Sequence, residues 1–372
     1  DYFLSIDSYF ITLIASLILG FSFYFFGKNG SKKINFIDQL ILIIFVYLFT
    51  GFLMSLPFYL SNFQVTFISA FFEAISGLTS TGFSTFKSIK YLDPTLILWR
   101  SSSQWIGGLF FLIFLILLFS NKTFNYKMTN LTFSGDSNFK SEESTKNIIL
   151  RIFIIYSFLS FFILVLLSIS GIRLFNSLNL AMTLVSNGGF LPSDNLNEII
   201  NSNFQKIILA LSLTFSLLNF YLIFNIFNKK ILLQQHKEDL YLLFLAFILI
   251  ILIYFNNFDG LNVIISVISS LANSGITLLK TENNLSLYFI LITIIGGSLI
   301  SNSSGIKLAR IYILLKITSL EIIKLISPNS IINKTIFGSD KKISDDHVKI
   351  SFLIFISFFL SLFILSSLLV FD

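Results

Sequence analysis

The sequence predicts an all-α polytopic membrane protein built from repeated units, each with a short apolar helix between two long ones. Of its 372 residues, 55% are hydrophobic and only 12% are charged, and its mean hydropathy is +0.86. Such a composition is typical of a chain that crosses a membrane several times. The chain has no cysteine, which excludes disulfides, thiolate metal sites and cysteine nucleophiles. Its two histidines, His236 and His347, are too far apart in sequence to indicate a histidine-rich metal site.

Residues 71–86, FFEAISGLTSTGFSTF, form the first short helix and a polar turn. The turn lies between two long apolar segments, so we expect it at membrane depth. Non-helical backbone is tolerated there only when it is buried in protein or lines a watery path. A row of carbonyl oxygens beside such a path can replace the hydration shell of a cation, and Gly82 permits the positive φ that this requires. A re-entrant loop that only fills space is the alternative.

Two later segments repeat this pattern of apolar half-helix and glycine-bearing turn. Residues 175–192 read FNSLNLAMTLVSNGGFLP, and residues 261–278 read LNVIISVISSLANSGITL. Such repeats define an architecture. Three turns facing one axis favour an ion filter over a space-filling loop.

We predict that the long apolar segments on either side of these turns span the membrane, since about 20 apolar residues cross a bilayer as a helix. The seventh is interrupted, and the others are continuous in hydropathy. They cover residues 9–26, 40–60, 95–119, 148–170, 207–227, 240–255, 285–326 and 350–371.

Basic residues predict the orientation of these spans. Most of the 25 lysines and arginines fall in loops and flanks on one side, which the positive-inside rule assigns to the cytoplasm. The three polar turns then open to the outside. The net charge of +6 is explained by this rule and need not imply a nucleic-acid partner.

Polar residues inside the apolar segments are candidates for function. Glu73 could anchor the back of the first turn, be an ordinary buried carboxylate, or act directly on passing ions. Arg100 and Gln104 could brace the first turn, or they could be interface anchors beside Trp99 and Trp105. No chain of acidic residues crosses the spans, which disfavours a proton relay.

The seventh segment contains small and hydroxyl residues where the middle of the membrane is expected. Glycine and serine weaken a helix and let it open into a loop. We therefore predict a gate beneath the filter, with close helix packing as the alternative, and we expect Lys307 and Arg310 to mark its cytoplasmic end. The candidate gate residues are Gly296, Gly297, Ser298, Asn302, Ser303, Ser304, Gly305, Lys307 and Arg310.

Five strings in chain order carry a family resemblance: SGLTSTGFSTF, RSSSQWIGGL, SNGGF, ANSGIT and GGSLISNSSGIKLARIYILLK. With them, nearly the whole chain resembles the TrkH-type membrane subunit of the Trk/Ktr/HKT superfamily of potassium transporters. The resemblance implies helix–pore-helix–helix units around a pseudo-fourfold pore. It also implies potassium uptake through a carbonyl-lined selectivity filter gated by an intramembrane loop. The alternatives are a sodium-coupled or poorly selective cation transporter, or a non-conducting truncated subunit.

The resemblance also implies site residues. Its filter glycines are Gly82, Gly189 and Gly275, with Gly188 as the alternative in the second turn. The full filter set is Thr79, Ser80, Thr81, Gly82, Phe83, Asn187, Gly188, Gly189, Phe190, Asn273, Ser274, Gly275 and Ile276. The carbonyls expected to contact potassium are those of Thr81, Gly82, Asn187, Gly188, Asn273 and Ser274.

The resemblance further implies a homodimer with a cytoplasmic nucleotide-binding regulatory subunit of the RCK or TrkA type. The expected place is the bacterial inner membrane, with many passes through the lipid bilayer. Potassium is the expected transported ion, with no organic cofactor and no nucleic-acid partner. The chain has no P-loop, metal or nucleophile motif, so neither an enzyme nor an ATP-driven pump is expected.

The predicted domains follow the repeats. Residues 1–35 are the remnant of an N-terminal helix pair, 36–120 the first pore unit, and 121–230 the second with a cytoplasmic loop. Residues 231–327 are the third unit with the interrupted gate helix, and 328–372 a loop and the first helix of an incomplete fourth unit. Two departures from the family stand out: Ser303 and Ser304 precede Gly305 where the family is richer in glycine, and a fourth filter unit, expected beyond Asp372, is missing.

Overall fold

The computed structural model describes residues 6–28, 30, 36–63, 65–120, 145–220, 222–223, 237–255, 259–278, 283–328, 334–335 and 343–370. These residues are mainly helical, which confirms the predicted class. The helices are α1 Ile6–Lys28, α2 Phe36–Tyr59, α3 Phe67–Leu78, α4 Pro94–Ser120, α5 Thr145–Ile169, α6 Leu174–Ser186, α7 Asn203–Leu217, α8 Lys237–Tyr254, α9 Gly260–Ala272, α10 Asn283–Ile295, α11 Leu308–Ile326 and α12 Asp345–Val370.

Within the described ranges, four helices are long and apolar enough to cross a membrane: α1, α2, α5 and α12. Their outward faces carry large apolar side chains that remain uncovered, such as Phe10 and Phe21 on α1 and Phe363 on α12. Such faces are costly in water and are stable against lipid. The long helices therefore provide the membrane-facing surface of the molecule.

The described residues form two compact units. The first contains α1 to α6, α7 as far as Phe215, and the segment Ser274–Leu278. Here α3 packs between α2 and α4, and α6 packs against α4 and α5. Small side chains let α3 approach its neighbours closely, since Ala70 and Ala74 are fully buried. Each short helix is thus held by long ones.

The second unit contains the rest of α7 and helices α8 to α12. The third short helix, α9, packs against α8 and α10, and α11 packs against α12. Between α10 and α11 the backbone leaves the helical conformation at residues 296–307. The predicted interruption of the seventh segment is confirmed.

Helix α7 ends at Leu217, so the prediction of a continuous span over residues 207–227 is wrong. The Leu217 carbonyl accepts a hydrogen bond from Ser298 N at 3.2 Å, and Phe220 N donates to the Ile300 carbonyl at 2.7 Å. Asn219 N donates to Asp239 Oδ1 at 2.9 Å. These long-range bonds satisfy the backbone groups that a continuing helix would have used.

Several helices begin earlier than predicted. Helix α8 begins at Lys237 and α12 begins at Asp345, each several residues earlier than its apolar segment. In both helices acidic residues occupy the first turn, where they interact favourably with the helix dipole. The predicted loop over residues 121–147 lies almost wholly outside the described residues.

Candidate ion-conduction site

The first polar turn, which we call the first filter loop (residues 79–83), folds back on the end of α3. The amides of Thr81 and Gly82 both donate to the Ser76 carbonyl, at 2.9 and 3.4 Å. The Ser76 hydroxyl donates to the Phe83 carbonyl at 2.6 Å. Two residues have positive φ, Ser80 at 52° and Gly82 at 81°. The loop is therefore tied to its own helix by short-range bonds.

The second filter loop (residues 187–190) and the third (residues 273–276) repeat this backbone. Asn187 has a φ of 56° and Gly189 a φ of 80°, and Asn273 and Gly275 follow with 58° and 67°. In all three loops a left-handed residue precedes the left-handed glycine by two positions. Asparagine tolerates this conformation better than most side chains, and glycine adopts it freely. The positive φ expected at Gly82 is confirmed, and Gly189 and Gly275 share it.

The filter loops meet within the first unit. A β-carbon added at Gly82 would collide with the Gly188 carbonyl oxygen, and one added at Gly189 would lie 2.6 Å from the Ser274 carbonyl oxygen. In both contacts a filter glycine touches the carbonyl of the residue that precedes the glycine of the next loop. At Gly275 no atom lies within 4 Å of the added carbon. The structure thus brings the predicted filter residues together.

The residue after each filter glycine differs in burial. Phe190 and Ile276 are buried, with 2% and 0% of their surface exposed, whereas Phe83 is 70% exposed. The hydroxyls of Thr79 and Thr81 are exposed and lie 2.7 Å apart. The first loop therefore presents more side-chain surface than the other two.

Glu73 holds the chain just beyond the first filter loop. Its carboxylate, which is fully buried, accepts hydrogen bonds from Thr85 N at 2.8 Å and from Ser84 Oγ at 3.0 Å. Arg100 Nε completes a buried ion pair with it at 2.7 Å. Glu73 therefore holds Ser84 and Thr85, which directly follow the first filter loop.

Arg100 also reaches the second filter loop. Its guanidinium carbon lies 4.2 Å from the centroid of the Phe190 ring, a distance at which a cation is attracted to the aromatic face. The Glu73–Arg100 pair on α3 and α4 therefore contacts both the residues that follow the first filter loop and Phe190, the last residue of the second. Arg100 is 1% exposed, which excludes an interface-anchor role for it.

Gln104 braces the second filter loop and not the first. Its Oε1 accepts from Phe190 N at 3.2 Å and from the Thr183 hydroxyl. Its Nε2 donates to the Gly188 carbonyl. Gly188 N in turn donates to the Thr183 carbonyl at 2.9 Å. The spacing of Gln104 four residues after Arg100 places both on one face of α4, a signal the sequence analysis did not use.

The segment between α10 and α11, residues 296–307, forms a loop with a narrow neck, which we call the gate loop. A β-carbon added at Gly305 would lie 2.9 Å from the Gly296 Cα. The amides of Ile306 and Lys307 donate to the carbonyls of Ile294 and Ile295, each at 3.0 Å. The chain thus leaves and returns at nearly the same point.

The interior of the gate loop is polar and buried. Gly297 N donates to Ser303 Oγ at 3.1 Å, and Ser301 Oγ donates to the Ser298 carbonyl at 2.8 Å. Lys307 is 6% exposed, and its ammonium group donates to the Ser303 hydroxyl at 2.9 Å. Lys307 therefore points into the loop, which corrects the expectation that it marks a cytoplasmic end. The remaining candidates, Asn302, Ser304 and Arg310, are partly or fully accessible.

Glu238 and Asp239, at the start of α8, are functional candidates that the sequence analysis did not select. Glu238 Oε1 accepts from Leu299 N at 2.8 Å, and both acids are 2% exposed. They follow a basic segment in the sequence, and this charge pattern predicts only that they lie at a membrane face. In the structure Glu238 supports the gate loop directly.

The third filter loop and the neck of the gate loop contact the same carbonyl. Asn273 Nδ2 donates to the Thr293 carbonyl at 3.1 Å. The β-carbon position of Gly305 lies 2.9 Å from that same oxygen. Within the second unit, Asn273 and the neck of the gate loop are therefore close neighbours.

The chain is similar in sequence to known cation transport proteins. The profile of one family, described as "TrkH: Cation transport protein", covers residues 5–280. An uncharacterized cation transporter of Methanocaldococcus jannaschii is 25% identical over 332 residues, 86% of this chain and 68% of that protein. The Trk system potassium uptake protein TrkG of Escherichia coli K12 is 25% identical over 366 residues, 92% of this chain and 74% of that protein.

A solved structure shares the fold. The crystal structure of the potassium transporter TrkH from Vibrio parahaemolyticus is 20% identical and superposes with a TM-score of 0.71, covering 90% of this chain and 77% of that one. The likeness confirms a polytopic membrane fold of this type, and the apolar helices and bacterial relatives confirm a multi-pass protein of the bacterial inner membrane. Transport and not enzymatic catalysis is the activity of this family. Since the family profile matches about three quarters of its length, the chain belongs to the TrkH family of cation transport proteins.

Proposed function

We propose that the chain conducts potassium into the cell through a selectivity filter formed by the backbone carbonyls of the three filter loops. The observation that carries the proposal is the repeated backbone of these loops, with two left-handed residues two positions apart in each. Alternation of left- and right-handed residues turns successive carbonyls toward one side, which is what replacement of a hydration shell requires. The names of relatives such as the potassium uptake protein TrkG support potassium as the ion.

The proposed ligands are six backbone carbonyls, those of Thr81, Gly82, Asn187, Gly188, Asn273 and Ser274. The Gly188 carbonyl also accepts the Gln104 amide, and a carbonyl oxygen has a second lone pair that remains available to an ion. Bonds such as Thr81 N to the Ser76 carbonyl hold the loop before an ion arrives. A filter that is already ordered loses less conformational entropy when it binds an ion.

The gate loop is proposed to open and close the path below the filter. Its neck is a contact between Gly296 and Gly305, and its interior is held by hydrogen bonds between serines. A closed loop that depends on a few polar bonds can be displaced without unfolding the helices beside it. Residues 36–120, 121–230 and 231–327 are the proposed pore units. A second copy and a nucleotide-binding regulatory subunit are the proposed partners.

Replacing the filter glycines with alanine tests the filter. Gly82→Ala and Gly189→Ala force a β-carbon against a carbonyl and into a left-handed conformation, whose cost is about 1–2 kcal/mol for the conformation alone. Gly275→Ala carries only the conformational cost, because no atom lies nearby. Potassium-over-sodium flux in vesicles should therefore fall most for Gly82→Ala and Gly189→Ala, and less for Gly275→Ala.

Gly20→Ala is the matched control, since Gly20 lies in α1 with open space around it. It should leave selectivity unchanged. Unchanged selectivity in all three filter variants, with normal amounts of protein, would contradict the filter proposal. Equal sodium and potassium flux in the unmodified protein would favour the poorly selective alternative.

A further inference from the structure

The gate loop contains a compact set of oxygen atoms around a single ammonium group. Lys307 Nζ lies 3.4 Å from the Ser301 carbonyl oxygen and 3.3 Å from the Ser301 hydroxyl. It lies 2.9 Å from the Ser303 hydroxyl and also bonds the Ser303 carbonyl. Both serines are at most 2% exposed. Two carbonyls and two hydroxyls of one short segment thus surround one positive charge.

Carbonyl and hydroxyl oxygens are the ligands with which proteins replace the water shell of a monovalent cation. A lysine ammonium is a compact point charge with three donors, so it can occupy such a site as a free ion would. Burying a charge is costly unless it is paired and hydrogen-bonded. The four oxygens and the nearby Glu238, which interacts electrostatically with Lys307, provide that compensation.

The backbone of Lys307 supports the same conclusion independently. Its φ is 79°, a conformation that residues with a β-carbon rarely adopt and that persists only when the surroundings enforce it. The residue is the cap of α11 and immediately precedes its first turn. Lys307 therefore keeps an unfavourable backbone conformation at the position from which its side chain enters the gate loop.

We propose that Lys307 is a tethered cation that occupies a monovalent-cation site in the gate loop and holds the loop closed. The proposal rests on the gate function proposed above for this loop. Because Lys307 caps α11, a displacement of that helix withdraws the ammonium group from the loop oxygens. Emptied of its lysine, the site accepts a small free cation such as methylammonium.

Chemical rescue tests the proposal in the full-length protein reconstituted in vesicles, with radioactive rubidium as the tracer. Lys307→Ala removes the tethered cation, so the closed loop loses several charge-assisted bonds and tracer flux should rise roughly tenfold. Methylammonium added to this variant should return the flux toward the unmodified level by filling the site. Lys316→Ala is the matched control, since Lys316 lies on the same helix and donates to the Thr335 carbonyl outside the gate loop.

Several results would overturn the proposal. One is a Lys307→Ala flux equal to that of the unmodified protein, and another is a raised flux that methylammonium does not lower. Equal reduction by methylammonium in Lys316→Ala would indicate block elsewhere in the path, and would also overturn it. Absence of potassium flux in the unmodified protein would instead contradict the proposed function, so the two failures are distinguishable.

Amine labelling of the unmodified protein provides a measurement that does not depend on how a variant folds. In vesicles with the path closed, Lys307 should react at least about tenfold more slowly than Lys316, because its ammonium is buried among loop oxygens. Mass spectrometry of the labelled peptides measures both rates. Equal rates would show that the ammonium does not occupy the loop, and the proposal would be wrong.

Discussion

The first and second filter loops share a backbone but are held by different chemistry. Behind the first, Glu73 and Arg100 form a buried ion pair at 2.7 Å. Behind the second, Gln104 offers one neutral amide that both accepts and donates. The backbone conformation is thus set locally by glycines and left-handed residues. The side chains that support this backbone differ: α4 provides Arg100 near the first loop and Gln104, one turn later, at the second.

The difference follows from what each loop presents. Just after the first loop, Thr85 N and the Ser84 hydroxyl point at one place, and a carboxylate satisfies both. The second loop presents an acceptor at Gly188 and a donor at Phe190, which only a group with both functions can satisfy. The carboxylate needs a cation to balance its charge in a buried place, whereas the amide needs none.

The largest expected effect comes from breaking the ion pair. Glu73→Gln keeps the shape of the side chain but leaves the Arg100 charge buried without a partner, at a cost of about 3–5 kcal/mol. We expect a large loss of folded protein and a lower unfolding temperature in detergent. Glu321→Gln is the control, because its pair with Lys324 is exposed and should change stability by less than about 1 kcal/mol.

A double variant sharpens this test. Glu73→Gln combined with Arg100→Met removes the charge altogether, and should recover part of the stability lost in the single variant. If Glu73→Gln alone unfolds at the same temperature as the unmodified protein, the ion pair does not hold the first filter loop.

Removing the amide should have an intermediate effect. Gln104→Leu leaves the buried Phe190 amide without its present partner, at about 1–3 kcal/mol for one unpaired buried group. We expect reduced potassium-over-sodium selectivity with a smaller loss of folded protein than for Glu73→Gln. Vesicle flux and the unfolding temperature measure the two effects.

Gln205→Ala is the control for the amide, because Gln205 also bonds backbone groups but at exposed positions where water can replace it. Its selectivity should match that of the unmodified protein. Full selectivity in Gln104→Leu would mean that the second loop keeps its conformation through the bonds to its own helix alone.

The smallest effect concerns the connections that follow the two loops. Asp194 accepts hydrogen bonds from Ser88 Oγ at 2.7 Å and from Ile89 N at 2.5 Å. The bond from the Ser88 hydroxyl, followed by that from the Ile89 amide, lowers the pKa of Asp194 below its usual range. A lowered pKa in the folded state stabilises the protein above the unfolded value of about 3.9, and this contribution is lost as the pH falls through the folded pKa.

Asp194→Asn should therefore lower the unfolding temperature slightly at neutral pH, and the difference from the unmodified protein should begin to shrink below about pH 4 and disappear once the pH is below the folded pKa. Unfolding scans in detergent across this pH range provide the measurement. A difference that stays constant with pH would show that the contacts of Asp194 do not depend on its charge.

The sequence by itself determined most of the helices, the three filter loops and the break in the seventh segment, but not the end of α7 at Leu217. These features depend on local patterns: apolar runs long enough to span a bilayer, and polar turns with glycine at the position that needs a positive φ. Gly82, Gly189 and Gly275 could be identified from the family resemblance, and each lies three or four residues beyond the end of its own short helix. The repeated pattern of a short apolar helix and a glycine-bearing turn is visible in the sequence alone.

Only the tertiary structure decided which side chains support these loops. Gln104 and Gly188 are 84 residues apart, and α7 ends at Leu217 because Ser298 and Ile300 take over its backbone bonds. Lys307 follows an apolar segment, where sequence patterns predict a charge at the cytoplasmic face. Whether an ammonium group meets water or loop oxygens depends on contacts between distant segments, and packing brings Ser301 and Ser303 around it.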